Sequence, residues 1–324
     1  MEARDDHGAE RAAPAARDQT NDRTHKMTDF NLADGDGVRW SALAVDIDSG
    51  ETLFSSHPER VLDTASIGKL FLLHTVLDQA DHGSLDLTEQ VERLPFEMID
   101  DSGLWYLLHA DVLSIYDICV LIGAASDNSA TNVLCRRIGL DAVHAHTREL
   151  GYEHSGLDDI VRWPIPPGMP GTLSHGTAAE LVRFVSELAR SERLSASSAD
   201  ILRRWLGAGM DCSMVASAFN FDPLAHFRYD HGTWLWNKTG TISTVRGDVG
   251  VAMSRTRRIA YAVLANWGPD AGAEDVSAGP AADTAAVPVD AGMGSAAAVT
   301  PVDARDAVLA RMCAAGEVIR AVLG

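Results

Sequence analysis

Cysteine is scarce in this chain: Cys119, Cys135, Cys212 and Cys313 are the only four among 324 residues. They lack the short spacings of a zinc site or a redox pair, which excludes a disulfide-stapled framework and reads as reduced, buried thiols. Basic residues are also few. Lys and Arg number 27 against 46 Asp and Glu, and the net charge of −19 would repel nucleic acid and anionic membrane surfaces. The opening segment MEARDDHGAERAAPAARDQTNDRTHK has charge throughout and no apolar stretch. Neither a secretion signal nor an anchor is expected there, residues 1–29 read as a disordered arm with Met27 as an alternative start, and the product is expected in the cytoplasm. No G-x-S-x-G elbow, P-loop or dinucleotide fingerprint occurs, so no cofactor is expected. His144 and His146 in VHAHTREL read as a lone pair on an exposed helix without a third ligand, so no metal is expected either. No internal repeat is visible.

What is present is patterned for a mixed fold. VRWSALAVDID from Val38 alternates in the manner of a strand, DSGE supplies a turn, and TLFSS returns as its partner. Apolar runs predict helices over Leu70–Leu77, Ile115–Ala124 and about Ala130–Arg137, with further helices over Asp141–Leu150, Thr177–Ser191 and Ser197–Leu206. Thr177 with Glu180 is a capping-box pattern. The proline-rich RWPIPPGMPGTLSHG between them reads as a stiff extended loop. Strands return at Trp234–Lys238, Val245–Ser254 and Arg257–Asn266, and Val302–Leu323 closes the chain as a helix. Residues 268–303 hold six acidic and no basic residues in an Ala/Gly/Pro-rich background, which reads as a disordered insertion. The expected architecture is α+β with three αβα layers, its antiparallel five-stranded sheet drawn from both ends of the chain. The sheet lobe would take residues 30–62 and 207–324, and an all-helical lobe residues 63–206.

Three short motifs point to chemistry. Ser66-Ile67-Gly68-Lys69 opens the most apolar helix, putting a hydroxyl beside an amine one turn away. Serine is a poor nucleophile at neutral pH, and a lysine can take its proton only if burial or a second cation depresses the amine pKa. Alone, the pattern fits a helix capped by Thr64 or Ser66 with a snorkelling lysine equally well. Ser126-Asp127-Asn128 is a polar loop between two apolar helices, which alone fits a cap. Lys238-Thr239-Gly240 ends a strand, with Arg246 on the strand opposite. The three together, in this order and on these elements, form a recognised catalytic set.

From about Val38 to Trp267, and over the last helix, the chain resembles a class A β-lactamase-related serine hydrolase of the penicillin-recognising, transpeptidase-like kind. The resemblance implies that Ser66 is acylated, that Lys69 accepts or relays its proton, and that Ser126 passes a proton to the leaving nitrogen. It implies that Asn128 binds the substrate's side-chain amide and that Lys238 and Thr239, with Arg246 as helper, hold its carboxylate. The backbone N–H groups of Ser66 and Thr241 would form the oxyanion hole. The substrate would be a small molecule, a β-lactam or a peptide-like amide or ester. One departure stands out. The glutamate that activates the deacylating water is missing from Arg162-Trp163-Pro164, and Asp158 and Asp159 just upstream are either substitutes or loop ion pairs. Slow or atypical deacylation is therefore expected.

Overall fold

Alternation of apolar and polar residues makes Val38–Asp46 (β1) and Thr52–Ser56 (β2) a hairpin, with a register shift between Ala44 and Val45. Three later strands, Trp234–Ile242 (β3), Val245–Met253 (β4) and Arg258–Trp267 (β5), complete an antiparallel sheet in the order β2-β1-β5-β4-β3. This computed structural model describes residues 30–162, 164–169, 171–226, 232–268 and 301–324, with side chains from Ala304 in the last segment. The proposed arm, and all but the ends of the 268–303 stretch, lie outside the described residues.

Successive side chains point to opposite faces, and the almost continuously buried β3, β4 and β5 make the sheet apolar on both, so each face needs its own cover. Trp236, Val249, Val251, Ala262 and Leu264 face one core, which they share with Lys69–Asp81 (α1) and Ala178–Ala189 (α5). Leu235, Ala252, Tyr261 and Val263 face the other, closed by Val308, Met312, Ala315 and Ile319 of Pro301–Leu323 (α7). The three αβα layers and the five strands are those expected. Between the two sections of the sheet run Ile115–Ala125 (α2), Asn128–Ile138 (α3) and Leu140–Glu149 (α4), and Ala196–Gly207 (α6) follows α5. Among the described residues no helix is long and apolar enough to cross a membrane.

Several local expectations need correction. Ser66 lies in a 3-10 turn, Ala65–Gly68, and the α-helix begins only at Lys69. Neither Thr64 nor Ser66 caps it, because the Thr64 hydroxyl is engaged with Ser174 instead. Thr177 does cap α5, but Glu180 turns away from the capping box to accept from the N–H groups of Glu153 and His154. The pair His144 and His146 is not on an exposed face. His146 Nε2 lies 2.9 Å from Nδ1 of buried His74 on α1, and His144 Nε2 bonds Leu157 O. All four cysteines are free, but only Cys119 and Cys135 are buried.

Candidate active site

The Ser66 turn is shaped from outside its own helix. Ser174 Oγ donates to Ala65 O (2.5 Å) and accepts from Gly68 N–H (3.2 Å), so Thr64 is the donor of the 2.6 Å bond between the two hydroxyls. Ala65 is held at φ 49°, a left-handed value costly for a residue with a Cβ, immediately before Ser66. Strand β3 then closes on this turn. A Cβ on Gly240 would stand 2.0 Å from Thr64 O, so strand and turn meet backbone to backbone, an approach only glycine permits. Lys238, Thr239 and Thr241 thereby join Ser66 in one cleft of about 1160 Å³.

The second serine arrives by another strained residue. Ser126 ends α2 at φ 53°, and Asp127 caps α3 through Ala130 N–H (2.8 Å). The other Asp127 oxygen accepts from the N–H groups of Leu104 and Trp105, both at 2.7 Å, pinning the 98–104 segment to the motif. Lys69 lies beneath, wholly buried, and its Nζ donates to Ser126 O (2.7 Å), Asn128 Oδ1 (2.7 Å) and Ser126 Oγ (3.4 Å). A hydrogen bond from Lys69 to Ser66 Oγ, expected from their spacing, is not among these. The ammonium has three protons, and a carbonyl and an amide oxygen take the best-placed two. Lys238 Nζ donates to the same Ser126 Oγ (3.0 Å) and to Thr239 O (2.8 Å).

Two buried amines sharing one hydroxyl cannot both keep ordinary pKa values. Burial, and then the neighbouring Lys238 charge, hold Lys69 well below the usual lysine range. Burial brings Lys238 down to about 8 against the pull of Asp211 and Asp248. Arg246 does not join them. Its guanidinium lies over the Trp267 ring, 5.7 Å from the centroid, and donates to the carbonyls of Ile242 and Val245, so its expected role as a helper in carboxylate binding is not supported.

The facing wall, from Asp158 to Ile165, is built differently. Asp159 is nearly buried and bound by Arg162 through Nε (2.8 Å) and Nη2 (3.0 Å). Asp158 pairs with His175 at 2.8 Å and raises the imidazole pKa. Both carboxylates thus take the ion-pair alternative. Pro164 is exposed and outside the cleft lining, and Trp163 lies outside the described residues. The wall residue fixed most firmly is Val161, whose N–H donates to Asn132 Oδ1 (2.8 Å) and whose carbonyl accepts from Asn132 Nδ2 (2.9 Å).

The family model for the beta-lactamase enzyme family matches residues 24–282, more than half of the chain. The chain belongs to that family. Among solved structures, a beta-lactamase from Sphaerobacter thermophilus is 26% identical over 73% of this chain and 86% of that one, with a TM-score of 0.63. An ancestral class A beta-lactamase shares the fold at 19% identity, covering 93% and 97% of the two chains with a TM-score of 0.66. So does a leucine-to-glutamate mutant of PBP-A, solved as an acyl-enzyme complex with penicillin G, at 19% identity over 79% and 90% with a TM-score of 0.62.

In this beta-lactamase family member the motif residues were legible from sequence, whereas Ser174, Asn132 and Val161 were not. Ser174 and Asn132 act through backbone groups far away in sequence, and a single serine or asparagine gives no local signal of that. Asn132 had one weak clue: it stands one helical turn beyond Asn128, on the same face of α3.

Proposed function

We propose that this protein acylates Ser66 with a carboxylate-bearing amide or ester, a β-lactam or peptide-like compound, and releases the acyl group slowly. The carrying observation is Ser126 Oγ, placed 3.4 Å from Lys69 Nζ and 3.0 Å from Lys238 Nζ in the cleft that Ser66 lines. Neutral Lys69 takes the Ser66 proton as Oγ bonds to the substrate carbonyl carbon. The developing oxyanion is met by the N–H groups of Ser66 and Thr241, where one such donor is typically worth about 3 kcal/mol. Ser126 hands a proton to the leaving nitrogen and is resupplied from Lys69, so the proton lost by Ser66 ends on the leaving group. Cationic Lys238 and the Thr239 hydroxyl hold the carboxylate, and Asn128 positions the acyl side.

Slow release is supported by the facing wall. Its two carboxylates are committed to Arg162 and His175, and the clamped position carries valine, so no free base there is poised to activate water. Acyl trapping, or transfer to an acceptor other than water, is the same chemistry stopped or diverted at this point. Intact-protein mass spectrometry with a panel of β-lactams and esters tests the reading. A persistent adduct on the Ser66 peptide is expected, and an adduct that survives Ser66→Ala would overturn the assignment.

A further inference from the structure

Around its polar centre the cleft has an apolar rim. Met98, Leu104, Ile165 and Ile242 all line it, and they are 45%, 40%, 43% and 43% exposed. Large apolar side chains left open to water around a cavity of this size mark a surface that a ligand covers. Their positions are specific. Ile242 follows Thr241 at the end of β3, Leu104 is tied by its N–H to Asp127 beside Asn128, and Ile165 lies beyond Val161 on the facing wall. Ile242 borders the cleft next to Thr241 and Leu104 next to Asn128, where the proposed acylation would put the acyl side of a substrate.

The unpaired charge there is acidic, since the cation of the facing wall, Arg162, is bound to Asp159. Asp100 and Asp101 line the same stretch, with Asp101 Oδ2 accepting from Asn128 Nδ2 at 3.4 Å. A second carboxylate on the acyl side would meet like charge, whereas the cation that suits an anion, Lys238, is at the other end. We infer that the substrate is an amphiphilic monocarboxylate, with its anion on the leaving side at Lys238 and an uncharged alkyl chain on the acyl side against this rim. The inference rests on the proposed acylation of Ser66. In that step the Oγ–acyl bond forms, the bond from the acyl carbon to the leaving atom breaks, and the Ser66 proton goes to the leaving group. Water then adds OH to the acyl carbon and returns a proton to Ser66, freeing the alkyl carboxylic acid.

S-acyl thioglycolates carry the anion on the leaving side and let the chain be varied from acetyl to octanoyl, with thiol release giving the acylation rate. The rate at limiting substrate should rise roughly 50-fold across that series, about half, on a logarithmic scale, of what complete burial of the added methylenes gives. Leu104→Asp and Ile242→Asp should each cut the octanoyl-to-acetyl ratio about tenfold. Phe96, 75% exposed and outside the cleft, is the control, and Phe96→Asp should leave both rates unchanged. Equal rates for acetyl and octanoyl, with Ser66 adducts from both, would overturn the amphiphile and leave serine acylation standing. Calorimetry on Ser66→Ala separates the two claims further. Tighter binding of octanoyl than acetyl supports the apolar subsite even if no ester ever labels Ser66, an outcome that would sink the acylation reading alone, while equal affinities sink the subsite.

Discussion

The two walls of the cleft solve opposite problems with the same kinds of residue. On the wall of Ser66, Ser126 and β3, two amines are buried and share one hydroxyl, and two residues, Ala65 and Ser126, sit at strained positive φ. On the wall from Asp158 to Ile165, every charge is neutralised by a neighbour and the clamped position carries an aliphatic side chain. Unpaired buried charge is costly and persists where it does chemistry, whereas paired charge holds a loop in shape. Under the proposed function, acylation and deacylation would be built separately, one wall for each, with only the first furnished.

The largest effect should come from the furnished wall. Lys69→Ala removes the proton acceptor and should lower the acylation rate about 10³- to 10⁴-fold with little change in KM, read from the burst phase in stopped flow. A burst of normal rate would mean that the buried amine is structural. On the other wall, Val161→Glu places a carboxylate at the backbone position that Asn132 fixes. The slow phase after the burst should accelerate about 100-fold, the lower end of what a general base contributes. If wild type shows no burst and turns over linearly, the unfurnished wall is a wrong description, and Asp159 would have to leave Arg162 to act.

Much of this was legible before any coordinates. Alternation marked the first hairpin, apolar runs bounded by turns marked the three later strands, and apolar periodicity marked the helices to within a few residues, because both faces of the sheet and one stripe of each helix must be buried. The motif triple located the furnished wall for a different reason: Gly240 and Lys69 are dictated by close approach and by burial, constraints that leave few substitutes. The facing wall was less legible. Asp158 and Asp159 take the ion-pair alternative, and the wall position that Asn132 clamps from a distant helix carries Val161, a contact that no local pattern announces. Arg246 stands opposite Thr241, but strand pairing says nothing of which surface a long side chain follows once an indole is near.

A middle-sized effect tests the charge on Lys238. Its folded pKa of about 8 means that the cation predominates at neutral pH and is lost as pH rises through that value. For carboxylate substrates KM should therefore climb about tenfold per unit above pH 8, while a neutral ester shows no such climb. Lys238→Ala should raise KM for carboxylates about 30-fold at pH 7 and abolish this pH dependence. Equal losses on neutral esters would move Lys238 from anchoring the anion to proton transfer, and both amines would then serve the same step.

The smallest effect is the sharpest check on where the furnished wall ends. Arg246 is one strand away from Lys238, and by charge alone it could serve the same carboxylate. Its guanidinium is instead spent on the Trp267 ring and on two backbone carbonyls at the β3–β4 turn. Arg246→Ala should leave KM for carboxylate substrates within about twofold, since at this distance through solvent a single charge is largely screened. It should cost about 0.5–1 kcal/mol of stability, the usual worth of a partly exposed cation over an indole, seen as a Tm lower by about 1 °C. A KM increase comparable to that of Lys238→Ala, with unchanged Tm, would show that the side chain leaves Trp267 when substrate binds, and the carboxylate site would then have two cations.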